Sequence, residues 1–236
     1  PEAEEVIAER VAVVRERIAQ AAARAGRRPQ DVTLVAVSKT HPPQAVREAF
    51  AAGLRDFGEN RVQEAEAKIE SLGDLRAAGL RWHLVGHLQS NKAKRAVRIF
   101  DCIHSVDGAE LGGKLAKAVA EEGRSLPALV QVDLGHEATK SGLEEDQLFA
   151  LLTALQAPPA LRVVGLMTLP PFQEDPEAVR PFFRRLRELR DQALAQGLLA
   201  GSDLSMGMSH DLEVAVEEGA TLLRVGTAVF GERERA

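Results

Sequence analysis

A single (β/α)8 barrel of the TIM type is the fold class this sequence predicts, and three observations predict it. From residue 33 onward, short β-rich runs alternate with helix-period segments, the signature of parallel strands joined by helical crossovers. The runs number eight, with seven helical segments between them and one helix in front. The length, 236 residues, is close to the ~250 typical of such barrels. An open doubly wound sheet is the competing architecture. Strand number and length favour closure, and no Gly-x-Gly-x-x-Gly follows the first strand, which removes the usual dinucleotide-binding reading. One domain is expected over residues 1–236, with residues 1–30 forming an N-terminal helix packed on the barrel.

Ile7, Val11, Val14 and Ile18 form one stripe of that leading helix, since helical neighbours recur every three or four residues. Gly26 ends it, with Arg24, Arg27 and Arg28 near the negative end of its dipole. The strand candidates follow in order: TLVAVSK (33–39), RDFGE (55–59), WHLVG (82–86), DCIHSVD (101–107), ALVQVD (128–133), RVVGLMT (162–168), LSMGM (204–208) and LLRVG (222–226). Helices are expected at roughly 43–52, 60–72, 90–99, 108–123, 144–155, 177–196 and 209–218. The prolines of QAPPALR (156–162) fall where a helix turns back into the sixth strand, and PPFQEDPEAVRPFF (170–183) reads as a longer loop before a capped helix.

A net charge of -5 and a pI near 5.8 argue against nucleic acid, which usually calls for a basic domain. The one cysteine, Cys102, cannot form an internal disulfide, as befits a reducing compartment. Its mid-strand position favours an inert core thiol. The acidic N-terminus PEAEEVIAER is no signal peptide, and no apolar run approaches the ~20 residues of a membrane span. A cytoplasmic protein is expected, as a monomer or weak dimer.

Barrels carry their reactive groups at the C-terminal ends of strands. The first strand ends in Ser38-Lys39-Thr40-His41-Pro42, and alternation puts Val35, Val37 and Lys39 on one face. An enclosed lysine is costly while charged, so its pKa falls and it becomes a Schiff-base candidate; a lysine snorkelling to the rim is the plain alternative. Asn60, with Gln63 three residues on, reads as a capping box at the helix after the second strand. His83 and His87 have the spacing of a metal pair, but that pairing needs a helix and these fall on a strand and its loop, so no metal is expected. Lys92, Lys94 and Arg95 crowd a helix N-terminus, where a bound anion would relieve them, although a solvated face explains them as well. Ser205-Met206-Gly207-Met208-Ser209 and Arg224-Val225-Gly226-Thr227 end the last two strands. Small residues there let backbone N–H groups approach an anion, and these are the loops where barrels commonly bind phosphate; tight turns alone would also account for them. Arg224 lies among Leu222, Leu223 and Val225 and needs a partner, such as a ring nitrogen or a carboxylate. An inward lysine opposite a phosphate cup suggests a phosphorylated aldehyde, and pyridoxal phosphate is one.

The segments AVSKTHP (36–42), FGENRVQE (57–64), WHLVGHLQSNK (82–92), HSVD (104–107), KSG (140–142), GLMT (165–168) and LSMGMSHDLEVAVEEGATLLRVGTAVFG (204–231) resemble the pyridoxal phosphate homeostasis protein family. That family is similar in fold to the N-terminal barrel of alanine racemase and of bacterial-type ornithine decarboxylase. The resemblance implies that Lys39 forms the internal aldimine, that Arg224 faces the pyridine nitrogen, and that Ser205, Ser209, Gly226 and Thr227 hold the phosphate. It further implies that Asn60 lies near the cofactor and Lys140 near the open mouth.

Three functions are then compared: a carrier that buffers pyridoxal phosphate and delivers it to client enzymes, a pyridoxal phosphate-dependent racemase, and a lysine aldolase without the cofactor. A racemase needs two opposed proton-transfer groups, and in alanine racemase the second is a tyrosine from a β-rich domain. This sequence has no tyrosine and ends shortly after Gly231, leaving His210 or His41 as substitutes. The aldolase reading leaves Arg224 and the glycine-rich strand ends without a purpose. The carrier is therefore expected, with no catalytic residues of its own.

Overall fold

The computed structural model describes residues 2–137 and 141–232. Nine strands occur among them: β1 (Thr33–Val37), β2 (Asp56–Glu59), β3 (Arg81–Leu84), β4 (Cys102–Val106), β5 (Ala128–Asp133), β6 (Leu143–Glu144), β7 (Val163–Met167), β8 (Asp203–Ser205) and β9 (Leu222–Val225). All pairings are parallel. The order β4-β3-β2-β1-β9-β8-β7-β5, closed by β4 against β5, makes an eight-stranded barrel, and β6 is a short addition on β5. Every predicted strand is present.

The helices are α1 (Glu2–Arg24), α2 (Pro43–Ala51), α3 (Val62–Ser71), α4 (Gly73–Ala77), α5 (Ala93–Ile99), α6 (Ala109–Glu122), α7 (Leu148–Ala154), α8 (Arg180–Ala195), α9 (Leu212–Glu217) and α10 (Thr227–Phe230). Strand alternation sorts the core into two layers. Leu34 and Ala36 join the large cluster under the helices, whereas Val35 joins a smaller one with Cys102, Leu129, Val164, Met167 and Leu222, inside the barrel. The predicted stripe Ile7, Val11, Val14 and Ile18 is buried, with α1 packed on α2, α9 and α10.

One expectation is corrected. Asn60 does not cap α3: Arg61 is the N-cap and no side chain caps the helix. The chain stays extended one residue further than the capping-box pattern requires, and Asn60 turns to the barrel mouth instead. Lys94 and Arg95 form ion pairs with Glu121 and Glu66 on α6 and α3, in keeping with the solvated face. No helix among the described residues is long and apolar enough to cross a membrane.

Candidate functional site at the C-terminal mouth

A cavity of about 630 Å3 opens at the C-terminal ends of the strands, within the ~300–1,000 Å3 usual for small-molecule sites. Lys39, Asn60, Ser209, Arg224, Gly226 and Thr227 all line it. Of the predicted cofactor contacts, only Ser205 is elsewhere: fully buried beneath the floor, its hydroxyl accepts from Arg224 Nη1 at 2.7 Å and meets His104 Nδ1 at 2.8 Å. Lys140 lies outside the described residues.

Lys39 stands where β1 gives way to a constrained turn. Thr40 takes φ +66°, a left-handed conformation costly to a residue with a branched Cβ, and its N–H donates to Glu64 Oε1 at 2.6 Å. Beneath the turn, buried Lys68 donates to the Ser38 carbonyl at 2.8 Å and to Glu59, which also accepts from the Ser38 hydroxyl. Burial pushes the Glu59 carboxyl up, against the opposing hydrogen bond and charge of Lys68. A carboxyl whose folded pKa exceeds its unfolded value stabilises the fold at low pH, and loses that contribution as pH rises through the folded value. Removing the lysine raises the folded value further. Lys68→Met is therefore expected to cost about 3 kcal/mol at pH 8 and clearly less at pH 5, checked by chemical denaturation at both. An equal cost at the two values would mean that the carboxylate is not held by this pair.

Arg224 forms the far side. Its side chain is 4% exposed, and besides Ser205 its Nη2 reaches the Thr168 carbonyl at 2.9 Å. Burial pulls its pKa down to about 10, with Asp211 opposing, so it remains cationic at neutral pH. Neither the Ser205 hydroxyl nor the Thr168 carbonyl is a carboxylate, and the guanidinium also borders the cavity. An unprotonated ring nitrogen there would supply the missing acceptor.

The loops after β8 and β9 complete the cup. A Cβ at Gly226 would meet only the Val37 backbone oxygen and Cβ, at 3.4 and 3.8 Å, so backbone can approach a ligand closely there. The Ser209 hydroxyl accepts from the Ala228 N–H at 3.1 Å, tying the two loops together. Gly207, at φ +101°, has Ala215 Cβ 2.5 Å and Leu223 Cδ2 2.8 Å from where its own Cβ would stand. A lysine, a buried guanidinium and a small-residue cup fit the reactive carbon, ring nitrogen and phosphate of pyridoxal phosphate.

Sequence reasoning missed the barrel interior. Donor atoms of His83, Cys102 and His104 lie within 4.8 Å of one another, an arrangement a metal could use. However, two of the imidazole nitrogens share the bond between the rings and the other two have partners of their own: His83 Nδ1 meets His104 Nε2 at 2.9 Å, His83 Nε2 meets Asp56 Oδ1 at 2.8 Å, and His104 Nδ1 meets Ser205 at 2.8 Å. All four ring nitrogens are thus engaged, and burial raises the Cys102 thiol far above its ordinary value, which disfavours the thiolate a metal requires.

The family model for the alanine racemase N-terminal domain matches residues 11–234. The pyridoxal phosphate homeostasis protein of Aquifex aeolicus is 46% identical over 226 residues, covering 96% of this chain and 98% of that one. Its counterpart in Escherichia coli K12 is 40% identical over 233 residues, 97% of each chain. The structure of PipY from Synechococcus elongatus with PLP bound is similar at a TM-score of 0.83 and 43% identity, covering 95% of this chain and 100% of that one. Alanine racemase from Corynebacterium glutamicum, at 18% identity and a TM-score of 0.68, covers 98% of this chain and 62% of that one, a likeness of fold alone.

Proposed function

This chain belongs to the alanine racemase N-terminal domain family and, within it, to the pyridoxal phosphate homeostasis proteins, and from that premise we propose that it binds pyridoxal phosphate reversibly and passes it to client enzymes. The observation that carries the reading is the placement of Lys39 and Arg224 in one cavity with the cup of Ser209, Gly226 and Thr227. When bound, the cofactor supplies an aldehyde that condenses with an amine, releasing water, in a link that hydrolysis or another amine can undo.

Lys39 provides that amine, and the clamp on Ser38 and Thr40 fixes its origin. Ser209, Gly226 and Thr227 hold the phosphate, and Asn60 lies beside the ring. Arg224 meets the ring nitrogen as a permanent cation, so it leaves that nitrogen unprotonated and weakens the ring as an electron sink. That makes carbanion chemistry harder without preventing it, and the stronger support for binding without efficient turnover is the lack of a second proton-transfer group.

The racemase alternative needs a second proton-transfer group. There is no tyrosine, and His210 Nε2 faces the carbonyls of Gln173 and Glu174 at 3.1 and 2.8 Å, which engages that nitrogen in holding the loop. The test is to add pyridoxal phosphate to the purified protein and record the visible spectrum before and after borohydride. A yellow protein that bleaches and carries the reduced label on the Lys39 peptide is expected, with the unreduced cofactor stripped by dialysis against a competing amine. A protein that stays colourless would overturn the reading, and retention through dialysis or brisk racemisation of alanine would replace the carrier with an enzyme.

A further inference from the structure

We propose that Asp56, His83, His104 and Ser205 are positioning residues for Arg224: they form a directional hydrogen-bond relay through the barrel interior that orients the guanidinium toward the ring nitrogen of the bound cofactor. The inference rests on the reading of the cavity as a pyridoxal phosphate site. The four links measure 2.8 Å from Asp56 to His83, 2.9 Å from His83 to His104, 2.8 Å from His104 to Ser205 and 2.7 Å from Ser205 to Arg224. Every member is buried.

The two ends determine the direction of the whole file. Arg224 can only donate and an ionised Asp56 can only accept. Asp56 accepts hydrogen bonds from His83 and Arg81 and faces the Arg81 charge, which oppose the upward push of burial and hold its carboxyl below the ordinary value. With both imidazoles neutral, one arrangement satisfies every link. Arg224 donates to Ser205, Ser205 to His104 Nδ1, His104 Nε2 to His83 Nδ1, and His83 Nε2 to Asp56. Burial, with the nearby Arg224 charge, holds the His104 pKa well below its ordinary value, consistent with a neutral ring. A protonated His83 would reverse two links and leave the Ser205 proton without an acceptor in the file.

The relay therefore lets a carboxylate on β2 act as the counter-charge to a guanidinium on β9 that it does not touch, since hydrogen bonds in series polarise one another in a low dielectric. Arg81 anchors Asp56 through Nε at 2.9 Å and Nη2 at 2.7 Å, and the Thr168 carbonyl steadies the other side of Arg224. The guanidinium is thus held from below, with its cavity side available to an acceptor.

The test titrates the full chain with pyridoxal phosphate and with its carbocyclic analogue, in which the ring nitrogen is replaced by C–H. His104→Phe keeps the ring volume but cuts the file, and His104→Gln restores one donor and one acceptor. The expected result is that His104→Phe weakens pyridoxal phosphate binding by roughly ten- to a hundredfold, leaves the analogue's affinity unchanged, and is rescued by His104→Gln. Ser205→Ala, which cuts a different link with a smaller volume change, should reproduce the selective loss should the phenylalanine variant not fold. Equal losses for both ligands, or none for either, would overturn the relay while leaving the cavity reading intact. Failure of the unaltered protein to attach pyridoxal phosphate at Lys39 would overturn the cavity reading itself, and the relay with it.

Discussion

Lys39→Ala is expected to abolish borohydride-fixed labelling by pyridoxal phosphate and to weaken binding by about a hundredfold or more, equivalent to ~3 kcal/mol. The phosphate cup and Arg224 remain, so the residual binding is non-covalent and colour from the lysine link disappears. The cost to the fold should be small, within ~1 kcal/mol, because the lysine is only partly buried and the turn is held by other groups. Lys39→Arg is the informative control: it keeps a long cation but cannot condense with an aldehyde, so it too should fail to label. Labelling that persists in either variant, mapped to another lysine, would move the reactive amine elsewhere. Thermal unfolding without cofactor separates this outcome from a damaged fold.

Gly207→Ala should be strongly damaging for a single methyl in the cavity wall. Its φ of +101° is left-handed territory, and the new Cβ would stand 2.5 Å from Ala215 Cβ and 2.8 Å from Leu223 Cδ2. Ala215 Cβ is fixed to the α9 backbone, and the Leu223 methyl belongs to a fully buried side chain. Overpacking of ~1–3 kcal/mol combines with ~1–2 kcal/mol of backbone strain, or about 3 kcal/mol in total. For a chain of this size that lowers Tm by roughly 6–12 °C, measurable by scanning calorimetry. Pyridoxal phosphate affinity should fall as well, because Ser209 rides on the same loop. An unchanged Tm would mean that α9 shifts freely, and the loop would then be a far softer wall than its contacts indicate.

The barrel was legible because strand alternation is a strictly local pattern. The same parity that assigned Val35 and Val37 inward brought Lys39 with them, and the structure gives it the cavity. Short elements were not legible: two residues of β6, five of α4 and four of α10 are too few to carry a period. Asn60 misled as a cap because the residues of a capping box specify a possible bond, whereas the helix begins where the backbone turns, one residue later. The family resemblance puts Ser205 with the phosphate cup, whereas in the structure the Ser205 hydroxyl meets Arg224 and His104 below the floor, a side-chain direction that no motif specifies. The His83–His104 contact spans 21 residues and exists only once β3 and β4 lie side by side, so no motif announced it.

The N-terminal helix has a consequence for how the cavity wall is held. Arg17 on α1 donates to the Ser209 carbonyl at 2.8 Å and pairs with Glu213 of α9, so a helix outside the βα repeats grips the loop that would hold the phosphate. Order imposed on that loop by a ligand is shared with α1 through the Arg17 contact, and by reciprocity loosening of α1 weakens the grip on the ligand. The first helix thus braces one wall of the cavity from outside the βα repeats.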